Sequence, residues 1–248
     1  MNLKLNSQFE KTESHTQDLT FNYIKQVFED KKMVFDLKEL NLLTEQNKFN
    51  NLAFLVSDQN NTESKIVVFQ EESFGFWNDK KEFSGSIVKQ LNEIFDYLRL
   101  VNKRKLISID YSEQNECWDY PANSLKEIVF NAFCHRDWSL MYTQDIKLEF
   151  FKDKVVVFSP GGSVNNLSLE KIKEGEKARR NPNLLKLLQK IGFIEKNNHG
   201  IKQIFQEYLS FYLKPDFSTS DETYFVSTLY NRNYVNEKVD IVKFGTDN

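Results

Sequence analysis

Between Gln144 and Phe158 the chain alternates Ile146, Leu148 and Phe150 with Lys147 and Glu149, breaks at Lys152-Asp153-Lys154, and resumes as Val155-Val156-Val157-Phe158. A period of two on either side of a short polar break is the pattern of a β-hairpin with one face to bury. The second strand runs directly into Ser159-Pro160-Gly161-Gly162, where adjacent glycines permit backbone conformations and close approaches that no side chain would allow. With 8 glycines and 4 prolines in 248 residues, each such stop is informative.

Ahead of the hairpin, Tyr120 to Trp138 reads as one capped helix. Pro121 suits the first turn, where its missing N–H costs nothing, and Asn123 or Ser124 is placed to cap the donors that follow. Leu125, Ile128, Val129, Ala132 and Phe133 recur at spacings of three and four and make one apolar face. Glu127 and Asn131 lie one turn apart, with His135 a turn further on, so a carboxylate, a carboxamide and an imidazole can converge on one ligand. Alone, a Glu-x-x-x-Asn pair describes many solvated helix faces; it is the order of the surrounding elements that gives it weight.

The first 17 or so residues are polar and aperiodic, which predicts a mobile or peripheral arm, with His15 in solvent. Short helices are expected from Leu19 to Phe28 and from Leu37 to Leu42, then an apolar segment Leu52 to Val56 and a strand Lys65 to Phe69. Ile87, Leu91, Ile94, Phe95, Leu98 and Val101 form the stripe of a longer helix, followed by a strand at Leu106 to Ile109 and a loop from Glu113 to Asp119. Beyond the hairpin come a charged segment from Leu169 to Arg180, a helix opened by Pro182 and closed by Gly192, and a further helix around Ile204 to Leu209. A strand from Thr223 to Leu229 closes the pattern, with a frayed tail from Asn231. The resulting α/β (α+β) organisation is an N-terminal helical and mixed subdomain over residues 1–112, a second domain over 113–235, and a tail over 236–248.

A formal net charge of −3 gives no global basic field, so nucleic acid could be met only by a local patch. Cys117 and Cys134 lack zinc-ligand spacing, which fits a reducing, cytoplasmic setting without structural metal. No run of about 18 apolar residues is present, so membrane insertion is not expected. A polar helix, a hairpin ending in a glycine pair, and a second turn, Asn198-His199-Gly200-Ile201, feeding a helix make a constellation suited to a nucleotide. Asn131 and Glu127 would hold Mg²⁺ and water, and the glycine turns would offer backbone N–H groups to phosphate.

These blocks carry a resemblance. Tyr120-Pro121, Glu127, Asn131-Ala132, His135-Arg136-Asp137, Ser159-Pro160-Gly161-Gly162, Arg180-Asn181-Pro182 and Gly200-Ile201 resemble the C-terminal ATPase-like module of bacterial RecG-related, AlbA-type (Schlafen-like) transcriptional regulators. That module is placed among the GHKL (Bergerat-fold) ATPases, a two-layer sandwich of helices on a mixed, mainly antiparallel sheet. The resemblance spans residues 40 to 235 and includes Lys81-Glu82-Phe83-Ser84-Gly85-Ser86.

The resemblance implies ATP and Mg²⁺ as ligands, with Asn131 on the metal and Glu127 as the catalytic carboxylate that orients or deprotonates water. His135, Ser159, Gly161, Gly162, Arg180, His199 and Gly200 would border the nucleotide. The sequence departs from the GHKL pattern twice: Ser159 and Pro160 stand where an adenine-reading Asp is usual, and Asn198-His199-Gly200 lacks the first glycine of Gly-x-Gly. A protein-kinase reading of His135-Arg136-Asp137 fails, because Tyr142 stands where the metal-binding Asn belongs. Lys171, Lys173, Lys177, Arg179 and Arg180, mixed with glutamates, form either a solvated helix face or a lid from which Arg180 reaches phosphate. The expected function is an ATP/Mg-binding module of a transcriptional regulator, at most a weak ATPase. The alternative is a scaffold that keeps the fold for dimerisation or partner contact without binding ATP. No AlbA-type domain is recognisable before residue 40 and no winged helix after 235, so DNA contact would come through family domains beyond these blocks.

Overall fold

The computed structural model describes residues 9–70, 75–110, 113–164, 167–174, 176, 179–194, 200–220 and 223–234. Its centre is a six-stranded sheet in the order β2 (Trp77–Ser84), β1 (Glu63–Phe69), β5 (Ile146–Phe150), β6 (Lys154–Pro160), β8 (Tyr224–Tyr230), β7 (Asp216–Ser220). Neighbouring strands are antiparallel except β1 and β5, which run parallel. Two of its strands come from before residue 113 and four from after it.

The period of two sets the layers. Leu148 sits opposite Val157 and Phe150 opposite Val155, and these four with Ile146 are buried on one face. The same face continues through Ile66 of β1 and Leu229 of β8. Helix α3 (Ile87–Val101) packs on β2, and α4 (Ala122–His135) packs on β6 and β8, so the helical stripes and the strand alternation share one core. The helices α1 (Asn22–Asp30), α2 (Asn51–Val56), α5 (Leu169–Lys173), α6 (Pro182–Lys190) and α7 (Ile201–Glu207) complete the mixed α/β fold.

Several expectations are corrected. Leu37 to Leu42 is a turn, not a helix: the Asp36 carboxylate accepts from the N–H groups of Lys38 and Glu39, and Asn41 at φ 56° ends the turn. Glu113 to Asp119 is not a loop, since β4 (Glu113–Trp118) pairs antiparallel with β3 (Arg104–Asp110) as a separate two-stranded ribbon. Strands β2 and β7 were not expected; β2 carries a single buried residue, Phe83, and therefore no alternation to read. The arm expected at the N-terminus is packed from Phe9 onward, and Glu10 is fully buried in a 3-10 turn, Phe9–Lys11. In the expected tail, Asn233 is buried and donates through Nδ2 to Cys117 O at 3.1 Å and to Asp119 Oδ1 at 2.7 Å.

Candidate functional site

Both ends of α4 are closed from outside the helix. At its N-terminus Pro121 holds the cap position without a side-chain hydrogen bond, so neither Asn123 nor Ser124 caps as expected. Instead the Glu207 carboxylate at the end of α7 accepts from Ser124 N at 3.0 Å, Ser124 Oγ at 2.6 Å and Asn123 Nδ2 at 2.9 Å. A negative charge among the first N–H groups satisfies orphan donors and opposes the positive helix end.

At the C-terminus the last carbonyls, which have no partners within the helix, are taken one by one. Ala132 O accepts from Ser159 Oγ at 2.8 Å and Phe133 O from Trp138 Nε1 at 3.3 Å. Cys134 O and Arg136 O both accept from Asn181 Nδ2, at 3.0 and 2.8 Å, and His135 O accepts from Arg180 Nη1 at 2.7 Å. Arg180 Nη2 donates to Gly161 O, and Asp137 N donates to Pro160 O at 2.8 Å. The glycine is required by this crowding: at φ 104°, a Cβ on Gly161 would lie 2.4 Å from Asp137 Cβ and 2.6 Å from Arg180 Nη1. The blocks Ser159-Pro160-Gly161, Arg180-Asn181 and Arg136-Asp137-Trp138 therefore meet as a clasp on the negative end of α4, with Arg180 placed where a cation is favoured.

Arg136 and Asp137 point to different tasks. The fully buried Arg136 guanidinium lies 4.4 Å over the Trp138 ring and donates through Nη2 to Met141 O and Gln144 O. Burial draws its pKa down to about 10, against the nearby charge of Asp145. Asp137 accepts from Ser139 N at 3.0 Å and Ser139 Oγ at 2.6 Å, capping the 3-10 turn Trp138–Leu140.

Glu127 and Asn131 are brought together as the spacing predicted. Glu127 is 8% exposed, and its Oε1 accepts from Nδ2 of half-buried Asn131 at 3.1 Å, a bond that does not use the Asn131 carbonyl oxygen. One turn on, burial, followed by the charges of Glu127 and Glu10, pushes the Cys134 thiol far up, so it stays protonated. Glu10 reaches this neighbourhood from the N-terminal turn and accepts from Asn183 N at 2.9 Å and Leu184 N at 2.7 Å, capping α6. Burial raises its pKa, partly opposed by those two hydrogen bonds. His135 sits beside the clasp with Nδ1 buried and without a hydrogen-bond partner. Burial, reinforced by Arg180 and Arg179, lowers its pKa to about 4, so the ring is neutral at physiological pH.

Of the other expected site residues, Gly162 follows Gly161 at φ 46°, and Gly200 opens α7 at φ 61°. His199 and Lys177 lie outside the described residues. His15 is exposed, as expected. Among the described residues there is no cluster of three His, Cys, Asp or Glu able to hold a metal ion, and no helix long and apolar enough to cross a membrane. Asn181, Glu10 and Glu207 escaped sequence reasoning in these roles, because their partners lie on elements distant along the chain.

Residues 143–229 match the family model described as "Putative ATP-dependent DNA helicase recG C-terminal". The matched segment runs from just before β5 into β8 and includes Ser159, Gly161, Gly162, Arg180 and Gly200; α4 with Glu127 and Asn131 precedes it. In fold, the chain is similar to the DIP2311 protein of Corynebacterium diphtheriae, known from a crystal structure, with a TM-score of 0.76 at 18% identity. The likeness covers 91% of this chain and 48% of that one, so the chain spans about half the length of this structural relative. No curated protein matches the chain by sequence.

Proposed function

We propose that the chain is an ATP- and Mg²⁺-binding module of GHKL type, serving a longer or partnered regulatory protein. The observation that carries this reading is the Glu127–Asn131 pair, held at 3.1 Å on a helix whose two ends are fixed from outside. The pair fits the cation: the carboxamide turns its N–H toward the carboxylate and leaves an oxygen for a hard ion and its waters. Mg²⁺, when bound, would neutralise phosphate charge, while Glu127 would orient or accept a proton from water. Arg180 Nε and His135 Nδ1 are buried without hydrogen-bond partners beside the clasp, and a phosphate oxygen would reach them only if the clasp opened. Gly162 and Gly200 would border the nucleotide, and the match over residues 143–229 supports an ATPase-like ancestry for these turns. Regulation of transcription and contact with DNA through other domains extend the same resemblance.

A second reading has its own support. Ser159 Oγ and both terminal nitrogens of Arg180 are already engaged on main-chain carbonyls, and the space at Gly161 is filled by Asp137 and Arg180. Those residues explain themselves as structure, which is what a scaffold for dimerisation or partner contact would retain. The two readings separate in a thermal-shift measurement with millimolar Mg-ATP and Mg-ADP. A ligand at 100 times its Kd stabilises by about 2.7 kcal/mol, and Asn131→Ala should abolish the part of the shift that depends on Mg²⁺. Absence of any shift at millimolar nucleotide decides for the scaffold.

A further inference from the structure

Strand β2 ends the main sheet, and among the described residues no strand pairs with its outer edge. Lys80 N donates to the neighbouring Asp79 carboxylate at 2.8 Å, so this N–H points away from β1. Alternation along the strand then turns the N–H and C=O groups of Lys80 and Glu82 to the open side, while those of Lys81 and Phe83 face β1.

The side chains alternate as well. Phe83 is buried on the helix side, where Asp79 accepts from Tyr97 Oη at 2.6 Å and Lys81 lies 5.3 Å over the same ring. Lys80 and Glu82 stand on the opposite face, exposed, and pair with each other at 2.9 Å. An edge guarded by one sign of charge would repel a copy of itself. This one carries opposite signs two residues apart and can match itself. A two-fold axis at Lys80 would set two ammonium groups face to face, and one at Glu82 two carboxylates. An axis at Lys81 sets Lys80 of each copy opposite Glu82 of the other. The two Lys81 side chains then meet on the helix side, each diagonal to Asp79 of the second copy.

Carried on past Ser84, the same pairing brings Phe76 and Trp77 of the second copy beside Ser86 and Gly85. Phe76 is 84% exposed and Trp77 59%. Gly85 and Ser86 border a hollow of about 430 Å³ whose other walls are Asn22, Tyr23, Asp58 and Lys89. Two aromatic side chains left in solvent and a hollow to receive them thus fall at matching distances along one strand, and two-fold symmetry uses the match twice.

We infer that β2 is a self-pairing edge: two copies of the chain join antiparallel about a two-fold axis at Lys81, making one continuous sheet. A foreign peptide strand could use the backbone groups, but it would leave the matched charges and the aromatic pair without a purpose. The inference is independent of whether α4 binds ATP.

Sedimentation velocity of the full chain, at loading concentrations up to about 0.5 mM, reads any dimer with a Kd tighter than about 1 mM. A reversible dimer is expected. Lys80→Glu and Glu82→Lys each set like charges opposite one another and should weaken it more than about tenfold, whereas an equimolar mixture of the two variants should associate again, because every outward pair is then opposite in sign. Trp77→Ala should weaken the dimer about tenfold. Lys80→Pro removes an outward donor without touching the ladder to β1, and should leave a monomer with the circular dichroism of the wild type. If the proline variant fails to fold, the charge mixture decides alone. A chain that stays monomeric over the whole range, a dimer that survives a folded Lys80→Pro variant, or charge variants that do not associate when mixed would each overturn the inference.

Discussion

At the scale of single residues, His135 shows how position sets chemistry. The same imidazole exposed to solvent would titrate near 6.5, but burial beside Arg179 and Arg180 lowers its pKa to about 4. The folded chain therefore refuses a proton that the unfolded chain accepts below about pH 6.5, so stability is fully present above that pH and is lost as pH falls toward about 4. Across that window the loss should amount to about 1–3 kcal/mol, with a limiting slope of about 1.4 kcal/mol per pH unit. Thermal melts of the wild type and His135→Asn from pH 7.5 to 4.5 will check it: the stability of the wild type relative to the variant should fall as pH drops. A constant difference would mean that the ring is not buried neutral. Sequence alone placed His135 on the polar side of α4, whereas its neutrality depends on arginines from a segment more than forty residues away.

At the scale of elements, α4 is a helix made by its own stripe and finished by others. The stripe of Leu125, Ile128, Val129, Ala132 and Phe133 is legible because a period near 3.6 is a local property of the chain. Its caps are not, because Glu207, Ser159, Arg180 and Asn181 arrive from α7, β6 and the approach to α6. Asn181 closes two carbonyls with one amide nitrogen, so Asn181→Ala leaves both Cys134 O and Arg136 O short of a donor in a buried place. The expected cost is about 2 kcal/mol in urea unfolding, more than an ordinary surface substitution would produce. The same logic explains the unread strands. β4 and β7 have little alternation of their own, and their state is decided by the strands they pair with, β3 and β8.

For the whole molecule, the longest-range link is a carboxylate. Glu10 reaches across 173 residues of sequence to Asn183 N and 174 to Leu184 N, tying the N-terminal turn to α6, whose leading residues Arg180 and Asn181 in turn grip α4. Phe9 O also accepts from Asn51 Nδ2 at 3.1 Å, so the turn is fixed to α2 as well. Glu10→Ala removes a helix cap and should lower global stability by about 1–2 kcal/mol, read as a shift of the denaturant midpoint at unchanged slope. A fall in slope instead would show that the turn had come away by itself. Sequence by itself determined the hairpin, the helical stripes and the one-turn spacing of Glu127 and Asn131, all of which are periodicities carried within a dozen residues. Only the tertiary structure decided what the motif blocks do first. The negative end of α4 leaves carbonyls that need donors, and Ser159, Arg180 and Asn181 supply them, with Gly161 leaving the room this requires. A spacing can announce that residues share a face, but which unsatisfied groups stand opposite them is fixed only when distant segments pack together.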